Sequence, residues 1–400
     1  MAQVLAVPHD NLRTSVVTQR YFAFILKAGD GTLALNFSVD GGNSWAWRSL
    51  GSPPPGVLSF AAATSFFSGN LAGDGSAINQ FYVFVIGGDG HLWVDISLDD
   101  GNNWNWQDQG APPSGTTISG GPEAVSQQAV HSGGFEQDVY CHVIGNDGHL
   151  YLNFSEDNGK TFNWMDLGAP STTTILSPGQ ASSLPYFDGT REAIYAFAIG
   201  NDNQLYTNFG RGLTWSWLPI GRPSATVGVA SVSNFRTTSL TVPPDAAKAI
   251  WVFVIGTDGH LYEAFSPSDG IGWVWQDRGV PPTAAIQTFF PNALRVGNES
   301  KTAVFNWNLF VFAVGTDFKL YVDFTTDATP GTSAVWNWDP QGAPTATLLG
   351  GLNGAVSSTE VEATLASVQI FVFVSDDTGD LHLNQWDGSK WTWHDQLGPP

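Results

Sequence analysis

Three histidines stand in one short context: Asp89-Gly-His91, Asp147-Gly-His149 and Asp258-Gly-His260. Two residues after each comes an aromatic side chain, Trp93, Tyr151 or Tyr262. In the first two, Asp95 or Asn153 follows two residues further on. Imidazole beside carboxylate can move protons, ligate a metal or bond the hydroxyls of a neutral ligand. The spacing separates these options. No His-x-Glu or Cys-x-x-Cys ligand spacing accompanies the histidines. Calcium needs closely spaced alternating acids, and Asp99-Asp100 is the densest pair. The expectation is therefore no metal and no cofactor. An enzyme needs one asymmetric site, whereas here the polar residues recur along the chain, so the expectation is also no catalysis.

The recurrence has a period. The turn aspartates Asp30, Asp89, Asp147, Asp202, Asp258, Asp317 and Asp377 are 55 to 60 residues apart and cover nearly all 400 residues. Each unit reads as four short strands, a to d. Strand a is a small-residue stretch such as 119–126. Strand b is apolar, as in 139–145, and an Asn-Asp-Gly type turn at 146–148 marks a hairpin. Strand c alternates over Leu150 to Phe154. Strand d carries Trp-x-Trp, with Phe162 and Trp164 in the third unit, and ends in Gly. Seven four-stranded units predict an all-β fold, a seven-bladed β-propeller of antiparallel blades. The whole chain, 1–400, is read as one domain, with blades near 1–55, 56–114, 115–172, 173–224, 225–283, 284–344 and 345–400. A strand-a stretch at Val4 to Pro8 and a final strand d at Trp391 make the first and last blades each complete. Closure is then expected through packing rather than strand exchange.

Composition fits this architecture and removes other classes. Of 17 Trp, the Trp-x-Trp strands account for all but four, and 45 Gly and 23 Pro supply turns. A net charge of −21 argues against nucleic acid and anionic membrane surfaces. No apolar run is long enough for a membrane span, and no signal peptide is recognisable, so the expected location is cytoplasmic, or outside after release without a signal peptide. The single Cys141 lies in an apolar strand and reads as a buried thiol. The segments starting at Ser38, Ser97 and Ser155 match Ser-x-Asp-x-Gly-x-x-aromatic, and Ser266 starts a fourth with Ser268 for the Asp. This pattern resembles the Asp-box of sialidases and other propellers and reads as a structural hairpin. The convergent arginines of a sialidase site are missing.

What remains is a set of repeated polar and aromatic positions. The fourth residue of strand c is Asn36, Asp95, Asn153, Asn208, Ala264, Asp323 or Asn384. Two before it stand Trp93, Tyr151, Tyr206, Tyr262, Tyr321 and His382, with Ala34 in the first blade. Trp106, Trp164, Trp217, Trp275 and Trp338 are nearby on strand d. Aromatic faces beside planar amides and carboxylates suit sugars: a pyranose stacks its C–H face and its hydroxyls take polar partners. The competing reading makes the aromatics inter-blade core and the Asn and Asp side chains blade ties. The candidate sugar-binding set is Asp89, His91, Trp93, Asp95 and Trp106; Asp147, His149, Tyr151, Asn153 and Trp164; Tyr206, Asn208 and Trp217; Asp258, His260, Tyr262 and Trp275; and Tyr321, Asp323 and Trp338.

The unit Phe253 to Tyr262, followed by Trp273-x-Trp275-x-Asp277-x-Gly279, resembles the repeat of the bacterial and fungal seven-bladed propeller lectins. The whole chain looks nearer to the Agrocybe-type mushroom lectins. That resemblance implies a fungal agglutinin, multivalent and non-enzymatic, for glycans and glycoproteins with non-reducing terminal N-acetylglucosamine. Bacterial members of the group imply fucose as the rival sugar, and a homodimer is compatible with the fold. Blade 4 departs from the repeat with Asn203-Gln204, blade 6 with Phe318-Lys319, and blade 7 with a longer turn from Asp376 to Asp380. Fewer than seven working sites are therefore expected. A protein-interaction scaffold is the alternative outside the lectins.

Overall fold

The computed structural model describes residues 4–11, 18–27, 31–54, 64–71, 77–99, 101–131, 134–179, 181–187, 192–211, 214–236, 249–267, 270–287, 291–297, 307–326, 335–344, 356–363, 367–376, 379–396 and 398. Asp30, Ser268 and Asp377 lie outside them. Within the described residues there are seven four-stranded antiparallel sheets, each in the order a-b-c-d. The third is representative: a is Glu123–His131, b Gly134–Ile144, c Leu150–Ser155 and d Asn163–Gly168. A 3-10 turn at Pro113–Gly115 is the one helical element described, and no described helix is long and apolar enough to cross a membrane.

Each strand a lies beside the strands a of both neighbouring blades, the first beside the seventh included, so the sheets form a closed ring. The protein is a seven-bladed β-propeller. Val4–Asn11 pairs within the first sheet and Trp391–Asp395 within the seventh, so no strand is exchanged between the chain ends.

The core is a set of seven seams, one between each pair of neighbours. The seam of blades 1 and 2 joins Phe22, Phe24 and Leu35 to Phe81, Val83 and Trp93. That of blades 7 and 1 joins Phe371, Phe373 and Leu383 to Tyr21, Ala23 and Ile25. Both faces of strands b and c are covered, and for that reason strand b is apolar throughout: Ile250–Gly256 is buried at every position. Burying one such Phe is worth about 2–3 kcal/mol.

The Trp-x-Trp pairs follow one rule: both rings turn toward the preceding blade. The first ring meets a strand-b side chain edge-on, as Trp104 meets Phe24 at 74° and Trp391 meets Phe312 at 80°. The second donates its indole N–H to a carbonyl in, or one residue past, the preceding strand d. The seven bonds are Trp47 to Gln396, Trp106 to Leu50, Trp164 to Gln109, Trp217 to Leu167, Trp275 to Ile220, Trp338 to Arg278 and Trp393 to Gln341, at 2.7 to 3.3 Å. In blades 1, 3, 4, 5 and 6 a β-bulge makes these carbonyls available. In blade 3, Leu150 pairs with Gly168 but Tyr151 pairs with Asp166, so Leu167 is skipped by its own sheet.

The Asp-box hairpins are structural. Ser155 Oγ donates to Asp157 and accepts from the Gly159 amide at 2.9 Å, while Asp157 Oδ1 accepts from the Thr161 amide at 2.9 Å. Gly159 has φ 71, and a Cβ there would lie 2.1 Å from the Tyr82 ring of blade 2. Only glycine satisfies both conditions. In the fourth hairpin Ser266 Oγ donates instead to the Ile271 carbonyl. Cys141 is fully buried, and burial pushes its thiol well above the ordinary range.

Candidate functional site

The strand order places the b–c turns and the d-to-a connectors on one face of the ring and the a–b and c–d hairpins on the other. The b–c turn is rigid. Gly145 N bonds the His149 carbonyl at 2.9 Å, and Gly148 N bonds the Gly145 carbonyl at 2.9 Å. The connector of the following blade locks onto this turn, with Leu176 N bonding the Gly148 carbonyl at 2.9 Å. The same bond runs from Val229 to Asn203 and from Ile286 to Gly259.

The turn aspartate then collects donors. Asp147 Oδ1 accepts from the His149 amide at 3.1 Å, and Oδ2 accepts from the Tyr151 hydroxyl at 2.6 Å. Asp202 with Tyr206, Asp258 with Tyr262 and Asp317 with Tyr321 repeat the second bond at 2.7 to 2.8 Å. In blade 2 the Trp93 indole donates to Asp89 at 3.3 Å, and in blade 7 His382 Nε2 meets Asp376 at 2.9 Å. Burial acts to raise the Asp147 carboxyl, but the Tyr151 hydroxyl and the His149 amide outweigh it and hold it below its ordinary value. The Tyr151 phenol is pushed up to about 12 by burial and by its bond to Asp147.

Three turns carry a second carboxylate. His91 Nδ1 stands 2.9 Å from Asp108, His149 Nδ1 3.0 Å from Asp166 and His260 Nδ1 3.1 Å from Asp277. A strand-d bulge positions Asp166 and Asp277, and each of the three acids also accepts an amide at 2.7 Å, from Gly110, Gly168 or Gly279. The imidazoles are 37–40% exposed and their acids 42–50%. Asp108, Asp166 and Asp277 were not among the residues expected from the sequence. Their signal was present: an Asp-x-Gly at the end of strand d, 17 residues beyond each histidine.

The structure brings Asp89, His91 and Trp93 together, and likewise Asp147, His149 and Tyr151, and Asp258, His260 and Tyr262. It sets the other candidates behind them. Asp95, Asn153, Asn208 and Asp323 are at most 1% exposed and face the seam toward the preceding blade, opposite Trp106, Trp164, Trp217 and Trp338. Burial pushes both Asp95 and Asp323 up to about 7. Trp106, Trp164, Trp217, Trp275 and Trp338 are half-buried with their N–H groups committed to the neighbouring blade. Tyr206 and Tyr321 hold turn aspartates in blades whose turns lack histidine. Among the described residues no group of three or more His, Cys, Asp or Glu is placed to hold a metal ion.

Comparison with known proteins bears on the fold. The BP39L lectin from Burkholderia pseudomallei superposes with a TM-score of 0.65 at 20% identity, covering 100% of this chain and 98% of that one. What the two share is the propeller. The fucose-specific lectin of Aleuria aurantia matches at TM-score 0.52 and 15% identity over 86% of this chain and 97% of its own. A mutant of AofleA from Arthrobotrys oligospora matches at 0.52 and 14%, over 87% and 93%. No protein-family model matches the chain, and no curated protein matches it by sequence.

Proposed function

We propose that this propeller is a non-catalytic, multivalent lectin whose ligands are glycans ending in N-acetylglucosamine. The observation that carries the reading is the repetition, around one face of the ring, of a turn aspartate bonded to an aromatic side chain. A repeated corner of this kind suits a repeated ligand, and a dense glycan surface is one. The solved structures of BP39L and of the Aleuria aurantia protein, which share this shape, are named as lectins, which supports the same reading.

The chemistry is consistent with a neutral sugar. Each corner offers carboxylate acceptors for hydroxyls, and the net charge of −21 disfavours polyanions. A monosaccharide on an open corner offers little contact area, so single-site affinity is expected to be weak. Several corners on one rigid ring raise the apparent affinity for a multivalent surface by orders of magnitude, roughly 10²–10⁴-fold. The seam residues Asp95, Asn153, Asn208 and Asp323 support the corners from behind in this reading, and the strand-d tryptophans fix the blades that carry them.

N-acetylglucosamine rests on the repeat resemblance. Fucose is the second reading, favoured by the fucose-specific Aleuria lectin among the similar structures. A glycan array followed by hapten inhibition with N-acetylglucosamine, fucose and galactose tests both. Inhibition by N-acetylglucosamine alone is the expected result. A stoichiometry of one sugar per chain, or release of a cleaved sugar, would count against a multivalent lectin.

A further inference from the structure

We infer that three corners of the ring bind sugar, those of blades 2, 3 and 5, and that the Nε2 atoms of His91, His149 and His260 make the contact. This rests on the lectin reading above. The observation is an internal correlation among the seven repeats. Where the turn carries histidine, strand d carries an aspartate within hydrogen-bond distance of its Nδ1. Where the turn carries Gln204 or Lys319, the residue opposite the corner tyrosine is Pro219 or Pro340. Thr32 and Ser49 occupy the two positions in blade 1, Asp380 and Asp395 in blade 7.

The pair is not needed to build the turn. In blade 4, Gly200 N bonds the Gln204 carbonyl and Asn203 N bonds the Gly200 carbonyl, both at 2.9 Å, as in the histidine turns. Blade 6 repeats this with Lys319 and Phe318. Asn203 and Phe318 even take the positive φ that glycine holds elsewhere. Gln204 and Lys319 fold back onto their own turn acids, at 2.8 and 3.1 Å, and occupy them. The pair also adds little stability, because a hydrogen bond between exposed side chains competes with water.

What the pair does is fix an exposed imidazole. The aspartate accepts a hydrogen bond from Nδ1–H, so in the neutral imidazole Nε2 keeps a lone pair as an acceptor for a ligand hydroxyl. The ring face is held too: His149 stacks on Tyr151 at 28° and His260 on Tyr262 at 21°. An imidazole fixed in position and tautomer loses little freedom on binding. Two carboxylates beside each histidine, such as Asp147 and Asp166, make the corner select neutral sugars over carboxylated or sulfated ones.

Equilibrium dialysis of the full chain with N-acetylglucosamine, and in parallel with L-fucose, counts the sites. Three per chain are expected for the sugar that binds. His149→Gln lowers the count to two, and the combined His91→Ala, His149→Ala, His260→Ala variant lowers it to zero with an unchanged unfolding midpoint. Gln204→Ala and Lys319→Ala leave it at three. Six or seven sites in the unmodified protein, or three sites kept in His149→Gln, overturns the inference while leaving the lectin reading intact. If the unmodified protein binds neither sugar and nothing on a glycan array, the lectin reading fails and this inference falls with it.

Discussion

The indole N–H of Trp47, in the first blade, donates to the carbonyl of Gln396, in the seventh, at 2.8 Å. The same bond joins every other pair of neighbours, so the junction between the chain ends is built like the six internal seams. In blades 1, 3, 4, 5 and 6 the acceptor is the residue that a strand-d bulge leaves unpaired with strand c. In blades 3 and 5 one irregularity thus serves twice: it frees a carbonyl for the next blade and sets Asp166 and Asp277 beside their histidines.

Trp47→Phe removes the closing bond and part of the ring. The expected loss is about 1–3 kcal/mol in urea unfolding. Trp106→Phe, at an internal seam, is expected to cost about as much. A much larger loss at Trp47 would mean that closure is a special point in the ring.

Asp95 and Asp323 are raised to about 7 by burial, from an ordinary value of 3.8. The folded state therefore keeps a proton that the unfolded state has released between those values. Stability falls as pH rises from about 4 to about 7 and levels off above that. Asp95→Asn and Asp323→Asn place there the residue that Asn36, Asn153, Asn208 and Asn384 already supply in other blades. Each is expected to raise the melting temperature at pH 8 and to change it little at pH 4. No difference between the two pH values would refute the assignment.

His142 titrates the opposite way. It is fully buried, edge-on to Trp215 at 73°, and burial lowers its pKa from 6.5 to about 3. The unfolded chain takes up a proton below 6.5 that the folded chain refuses, so this term costs stability as pH falls from 6.5 toward 3. The matching strand-b residue is Phe24, Phe84, Phe197, Phe253, Phe312 or Phe373 in the other blades. His142→Phe is expected to keep the edge contact and flatten the acid limb in melts from pH 6.5 to 4. An unchanged acid limb would exclude His142 as its source.

Gly159→Ala tests the Asp-box. The Cβ would meet a Tyr82 ring held by hydrogen bonds to Gln80 and to the Asn158 carbonyl, so the ring cannot yield cheaply. A loss above about 2 kcal/mol is expected. Gly168→Ala, with φ 70 and no atom near its Cβ, should cost only the backbone term of about 1 kcal/mol. Equal losses would mean that the contact with Tyr82 contributes nothing.

The repeat made the blades legible. Trp-x-Trp marks strand d because those rings share one face, and the Asp-Gly turns mark the b–c hairpin because a positive φ is required there. The self-contained first and last sheets also followed from the register. The candidate site was less legible. Asp95 and Asn153 looked available because they alternate with apolar residues on strand c. In a propeller both faces of that strand are covered, so alternation separates the preceding neighbour from the following one rather than protein from solvent. Asp108, Asp166 and Asp277 carry a local signal, the Asp-x-Gly that ends strand d, but only the pairing of strands c and d brings them level with the turn histidines.

Each blade is one uninterrupted stretch of chain with its own four strands, and no blade borrows a strand from another. A ring made of such cassettes has no privileged starting point. New ends opened between any two blades, with the present ends joined, would preserve every sheet and every indole-to-carbonyl bond. The order of corners around the rim is thus independent of where the gene begins. A blade can acquire or lose its histidine and aspartate one copy at a time, without the ring having to be rebuilt.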